Sequence, residues 1–233
     1  MIRPSLSSPV GHQQATFVAL PISVVKVHYR PHDKSGAYGG LREGDVSQST
    51  NDSLYARFSE RLSAAGGESR HVADAAEAAS YIAAHPALEQ DEVVVPPGFA
   101  QHSRWGEVLS LLRDKGIRIR EAGTPSSVAD APAGLSSAEL AIAETGSVLL
   151  AENSLEARVV SMLTLTHFVL VDAASLVPML DEAGKVLQQL TKVGPDQRHY
   201  ISFVTGPSRT ADIERTLTIG VQGPKELCVL IVD

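Results

Sequence analysis

Cysteine is nearly absent from this chain: among its 233 residues only Cys228 carries a thiol. One thiol forms no disulfide and cannot supply the four ligands of an iron–sulfur or Cys₄ centre. Its place inside the apolar run 227–232 suits a small buried core residue. Positive charge is also short. Lys and Arg number 20 against 27 Asp and Glu, a formal net charge of −7. That argues against a nucleic-acid binder, which needs a basic face, and more weakly against an anionic membrane surface. No stretch approaches the ~18 uninterrupted apolar residues of a membrane span. The run 19–27 is short and holds Pro21 and Lys26. The N-terminus lacks the layout of a signal peptide, so a cytoplasmic location is expected. There is no P-loop, no Gly-x-Gly-x-x-Gly after a strand, no Gly-x-Ser-x-Gly elbow and no His-Glu-x-x-His. A nucleotide-binding or hydrolase reading therefore has no motif behind it.

What is present reads as a folded α/β domain behind an irregular arm. Hydrophobic residues make up 43% and charged residues 20%, ordinary for a globular chain. A chain of this length buries about 70% of its unfolded surface without staples. Residues 1–50 are rich in Pro, Gly, Ser and Gln, and only 17–29 is strand-like. They are read as an arm that packs on its own domain or on a neighbouring subunit. His28, His32 and Asp33 lie there, but two histidines around a proline fall short of a ligand set, and no metal is assigned.

From Asn51 the pattern becomes regular. Asn51 or Ser53 caps a helix with the stripe Leu54, Phe58, Leu62 and Ala65. A strand over 68–72, an Ala-rich helix over 73–84 and a buried strand over 92–95 follow. A helix over 104–115 and a strand over 117–120 come next. Helix and strand in alternation predict a mostly parallel sheet with crossover helices. Residues 123–137 read as a loop, and 144–147 as a turn before a strand at 148–151. A further strand covers 168–171. Leu176, Leu180, Ala183, Leu187 and Leu190 predict a helix capped by Asp172 or Ser175, with Pro178 in its first turns. Strands at 201–204, 216–221 and 227–232 close the chain. The last is apolar on both faces, as a central strand is. Because the closing series is mostly strands, a mixed sheet is open. The domain is taken as 51–233.

The stretch 201–224 carries the first candidate site. An apolar run stops at Gly206-Pro207. Ser208, Arg209, Thr210, Asp212 and Glu214 follow, and a second strand-like run ends at Gly223-Pro224. At the carboxyl end of a strand, freed N–H groups with Arg209, Ser208 and Thr210 suit a carboxylate or phosphate. The competing reading is a tight turn, with Thr210 and Asp212 capping a short helical turn. Glu144, in the turn Glu144-Thr145-Gly146, is the second candidate. A partly buried carboxylate can act as general acid or base, or pair with Arg158 or Arg209 to hold two loops together. His167, at a strand start, is the histidine placed to move protons near neutral pH, or else a satisfied core residue.

These same residues resemble a known family. Gly206-Pro207-Ser208-x-Thr210-x-Asp212-Ile213-Glu214 with Gly220-Val221-x-Gly223-Pro224 is similar to the closing signature of the LUD domain, lactate-utilisation protein C type. Ile142-Ala143-Glu144-Thr145-Gly146-Ser147-Val148-Leu149 is similar to a second signature in the expected order. The resemblance implies a three-layer α/β/α fold similar to sugar-phosphate isomerases and coenzyme A transferases. It implies catalytic roles around Glu144, His167 and Asp212. Thr145, Gly146, Gly206, Ser208, Arg209, Thr210, Glu214 and Gln222 would bind substrate. The family commonly has histidine where this chain has Gln222, which hydrogen-bonds but cannot titrate. The run Ser161-Met162-Leu163-Thr164 lacks the proline that commonly precedes the family's recurring histidine. The implied role is oxidation of L-lactate to pyruvate with iron–sulfur partner proteins, no cofactor being evident in this chain. A stand-alone transferase or isomerase and a non-catalytic scaffold subunit are the alternatives.

Overall fold

The computed structural model describes the backbone of residues 43–211 and 215–233. The strand-like stretch 17–29, His28, His32 and Asp33 lie outside the described residues, as do Asp212 and Glu214. Everything below belongs to the unit Leu41–Asp233.

Helix α1, Glu43–Ala64, begins well before Asn51 and Ser53, which lie inside it rather than capping it. Its buried stripe is as the spacing predicts, with Phe58 and Leu62 fully buried. Strand β1 (Glu68–Val72) leads to α2 (Ala75–Ala84). Asp74 caps α2 by accepting from the Glu77 N–H, and the Glu77 carboxylate accepts in turn from Ala73 N–H. Strand β2 (Glu92–Val95), helix α3 (Gly106–Asp114) and strand β3 (Arg118–Glu121) complete the expected alternation.

The segment read as a loop over 123–137 instead holds α4 (Pro125–Val128) and a central strand, β4 (Ala133–Ser137). Its Ala-Gly-Leu-Ser-Ser sequence lacks β-branched residues because a helix rests directly on it. A Cβ on Gly134 would stand 2.7 Å from Thr164 Cγ2 and Oγ1. Tertiary packing overrides propensity here. Strands β5 (Leu140–Ile142) and β6 (Ser147–Ala151) follow, then α5 (Leu155–Leu163), capped by Ser154 Oγ accepting from Ala157 N–H at 3.0 Å. Next come β7 (Thr166–Asp172), β8 (Leu176–Val177) and α6 (Leu180–Leu190). The last helix starts later than its leucine stripe suggests. Asp172 Oδ1 accepts from Ala174 N–H at 2.8 Å and closes a separate 3₁₀ turn. Leu176 and Val177 join β5 instead, and Pro178 disfavours helical backbone at the residue before it. Strands β9 (Ile201–Val204), β10 (Arg209–Thr210), β11 (Thr218–Ile219) and β12 (Glu226–Val232) end the chain.

The main sheet has the order β1-β12-β7-β4-β2-β3, with every neighbouring pair parallel. The antiparallel pairs expected to mix into it are set apart in a second sheet, β8-β5-β6-β9, and in the small pair β10-β11. Helices α2 and α3 cover one face of the main sheet over Phe168, Leu170 and Leu230. On the other face α4 and α5 pack near Val94, while α1 and the second sheet pack over Val169, Val171 and Val229. Helix α6 closes the far face of the second sheet over Leu140, Ile142 and Leu149. The fold is thus α/β with helices on both faces of a parallel sheet, as expected, with a small second sheet inserted in one layer.

Candidate functional site

Strands β6 and β9 run antiparallel with Val148 opposite Val204, so the turn entering β6 and the turn leaving β9 are neighbours. Ser147 Oγ and Thr205 Oγ1 hydrogen-bond across them. Both corners press on the last turns of α1. Gly146 (φ 66°) abuts the backbone of Arg61 and Leu62, and Gly206 (φ 71°) abuts the carbonyl of Ala65. Positive φ and backbone contact together leave room only for glycine at each position. The two signature stretches therefore meet, although they are more than fifty residues apart in sequence.

Beside the second corner is a cavity of about 290 Å³. At about 30 Å³ per water it holds on the order of ten waters, or a small metabolite with some of them. Its wall includes Gly206, Ser208 and Gln222 from the closing signature, Ser161 and Met162 from α5, and His167 from β7. His167 is the second residue of β7 and stands between Gly134 and Leu227 in the ladder. The cavity thus opens at the amino-terminal end of the parallel strands. The sequence reading placed it at a carboxyl end. The difference arises because β9 belongs to the antiparallel second sheet, whose strand ends do not follow the direction of the main one.

His167 is fully buried. Its Nε2 is 2.8 Å from Ser136 Oγ, and its Nδ1 has no partner. Burial alone pulls its pKa down from 6.5 to about 4, so the ring is neutral at pH 7. The nearby hydroxyls are largely committed: Ser161 Oγ–H donates to Arg158 O and Ser208 Oγ–H donates to Gln222 O. Gln222 is exposed at the mouth.

The other sequence candidates among the described residues are not part of the cavity wall. Glu144 Oε2 accepts from the Leu180 N–H at 3.0 Å, at the start of α6. It engages neither Arg158, which lies over the Tyr200 ring, nor Arg209. Neither Glu144, Thr145 nor Gly146 lines the cavity. Thr145 Oγ1 is buried without a partner. Arg209 is exposed on β10, one residue beyond the wall. The short helical turn that Ser208 or Thr210 would cap runs into 212–214, outside the described residues. Arg209 and Thr210 pair with Ile219 and Thr218 in a short antiparallel ladder, and Ser208 N–H donates to Pro224 O.

Two further clusters had no signal in the sequence. Glu68, His85 and Cys228 bring ligand atoms within 4.8 Å of one another at the amino-terminal end of the sheet. Each comes from a different element, so spacing alone could not unite them. Tyr81 Oη–H donates to Glu68 Oε1 at 2.6 Å, and His85 Nδ1 accepts from Ala87 N–H at 3.2 Å. The neutral His85 ring then carries its proton on Nε2, facing Cys228 Sγ at 3.9 Å. Burial pushes the thiol up to about 12. As arranged this is a hydrogen-bonded cluster that runs from the exposed Glu68 to the buried Cys228, and a cation would have to displace the Nε2 proton. The second cluster centres on Glu152. Burial raises its carboxyl from 4.5 to about 7, opposed by Arg198 and reinforced by Glu139.

Comparison with known proteins agrees with the fold. A solved DUF162 family protein from Deinococcus radiodurans matches with a TM-score of 0.57 at 22% identity, over 78% of this chain and 98% of that one. At that identity the likeness concerns the fold. Lactate utilization protein C 1 of Bacillus mycoides is 36% identical over 100 residues, 43% of each chain. Lactate utilization protein C of Bacillus subtilis is 34% identical over 100 residues, 43% of this chain and 42% of that one. The match to the Bacillus pumilus protein of that name is 30% over 136 residues, 58% of this chain and 52% of the other. The matched stretches thus span only about half the length of these relatives. The profile of the LUD domain matches residues 55–232, from α1 to the end of β12 and across both signature corners, and on that match this chain belongs to the LUD domain family.

Proposed function

We propose that this chain serves the use of L-lactate, in its oxidation to pyruvate, by binding a small carboxylate in the cavity beside Gly206. The observation that carries the reading is the coincidence of two things. Relatives named lactate utilization protein C match this chain, and its closing signature helps to wall a metabolite-sized cavity with a buried histidine. His167, Ser208 and Gln222 are the residues assigned to the ligand, and Arg209 and Thr210 follow Ser208 along the chain. The oxidation needs an electron acceptor. With Cys228 as its single thiol the chain supplies no cluster ligand set, so iron–sulfur partner proteins are assigned that part, in the cytoplasm. Among the described residues no helix is long and apolar enough to cross a membrane.

The transferase or isomerase alternative asks Glu144 to be nucleophile or base. The Glu144 carboxylate is committed to the Leu180 N–H, outside the cavity, which favours the carboxylate-binding reading. Two measurements test the proposal. Deletion of the chain should abolish growth on L-lactate, and calorimetry should detect pyruvate or L-lactate binding that His167→Ala removes. Normal growth on L-lactate after deletion would overturn the role, and binding unaffected by His167→Ala would overturn the site.

A further inference from the structure

The two nitrogens of His167 are not equivalent, and the difference constrains what the cavity accepts. Nε2 is 2.8 Å from Ser136 Oγ, while Nδ1 is unpartnered in a residue of the cavity wall. Ser136 lies on β4, two residues beyond the Gly134 that stands beside His167 in the ladder. It is buried, and its hydroxyl has no other partner among the described residues. Two arrangements give this contact. If Ser136 accepts from Nε2–H, its own hydroxyl proton is stranded, and so is the lone pair on Nδ1. If Ser136 O–H donates to Nε2, the neutral ring carries its proton on Nδ1. One group is then unmet, the Nδ1–H. Buried polar groups without partners are costly, so the second arrangement prevails. Among the described residues no charged group lines the cavity: with His167 its wall holds Ser161, Met162 and Leu227 together with residues of 203–208 and 222–224.

We propose that Ser136 is a positioning residue that holds His167 as a neutral Nδ1–H donor facing the cavity. The cavity then receives an oxygen acceptor, the carboxylate or keto oxygen of a 2-oxo acid, and His167 does not act there as a base. The ligand half of this inference rests on the carboxylate-binding reading above; the tautomer half does not. Ser161 and Ser208 spend their hydroxyl protons on carbonyls, so among these described side chains of the wall the Nδ1–H is the donor without a protein acceptor. A cationic or donor-only ligand would face it without a bond.

The test is nitrogen NMR of the full chain labelled with ¹⁵N-histidine at neutral pH, with His167 assigned by loss of its signals in His167→Gln. The expected result is a protonated Nδ1 and an unprotonated, hydrogen-bonded Nε2. A proton on Nε2, or on both nitrogens, overturns the inference, and this needs no variant of Ser136 to fold. Added pyruvate should shift the Nδ1 signal. Ser136→Ala should mix the tautomers and weaken pyruvate binding by about threefold to tenfold, one ordinary hydrogen bond, and Ser136→Thr should restore both. A Ser136→Ala protein with wild-type tautomer and affinity overturns the positioning role. If the tautomer is as expected and no 2-oxo acid perturbs it, the carboxylate reading fails while the Ser136 assignment stands.

Discussion

Replacing Gly206 by alanine should break the corner that joins β9 to α1. Gly206 has φ 71°, and an added Cβ would meet the Ala65 carbonyl oxygen and carbon, backbone atoms with no rotamer to yield. Left-handed backbone costs a non-glycine residue about 1–2 kcal/mol. Overpacking against an unyielding neighbour costs about 1–3 kcal/mol more. The sum is roughly 2–5 kcal/mol, or a fall in Tm of about 5–15 °C for a domain of this size. Gly184 provides the control. It sits in α6 with nothing within 4 Å of its would-be Cβ, so Gly184→Ala should gain about 0.5–1 kcal/mol from helix propensity. Urea denaturation of both variants, with thermal melts alongside, measures the difference. Any pyruvate binding should also fall in Gly206→Ala and persist in Gly184→Ala, because Gly206 lines the cavity and Gly184 does not. If Gly206→Ala lies within about 0.5 kcal/mol of the parent, the claim that α1 clamps this corner is wrong.

Other perturbations separate the groups described here. His167 has a folded pKa of about 4 against 6.5 unfolded, so the unfolded chain takes up its proton first as pH falls. The stability it confers is complete above pH 6.5 and drains away towards pH 4, by about 2 kcal/mol at pH 5; denaturant melts of His167→Gln should lack that part of the slope. Glu152 has the opposite sign. Its folded pKa is raised to about 7, so the unfolded chain releases the proton first as pH rises. Stability should fall between about pH 4.5 and 7, and Glu152→Gln should flatten that loss in the same melts. Glu144→Ala should cost about 1 kcal/mol through the lost α6 contact while leaving pyruvate affinity unchanged in calorimetry. Gln222→His, at an exposed position, should leave stability within about 0.5 kcal/mol and add a pH dependence to ligand binding near neutrality.

The parallel half of the fold was legible because its signals are local. The α1 stripe at Phe58 and Leu62 and the apolar runs at β2, β7 and β12 each mark an element within a few residues, although the expected caps of the first and last helices do not hold. What was missed depends on contacts far away in sequence. Strand β4 reads as a loop because its glycine and serines are chosen by the helix above it, through Gly134 against Thr164 and Val160. Leu176 and Val177 look like the first turn of a helix until β5 is available to pair with them. The short ladder β10–β11 has two residues a side, too few for alternation to show.

The site divides along the same line. Gly146 and Gly206 were visible as turn residues, and their meeting follows once β6 and β9 pair. Their neighbours then part company. The turn before β6 sends Glu144 to the start of α6, whereas the turn after β9 folds back over β7 and α5 and walls the cavity. The carboxylate next to the first turn is thus hydrogen-bonded to the start of α6. The group left with an unmet nitrogen is a histidine that sequence alone could place only at a strand start. What singles it out is Ser136, a plain serine in a segment with no strand signal, reached only through the β4–β7 ladder. On the proposed reading, ligand recognition at this cavity hangs on the least legible strand of the main sheet. Substitutions in β4 should change ligand recognition more than their distance from either signature suggests.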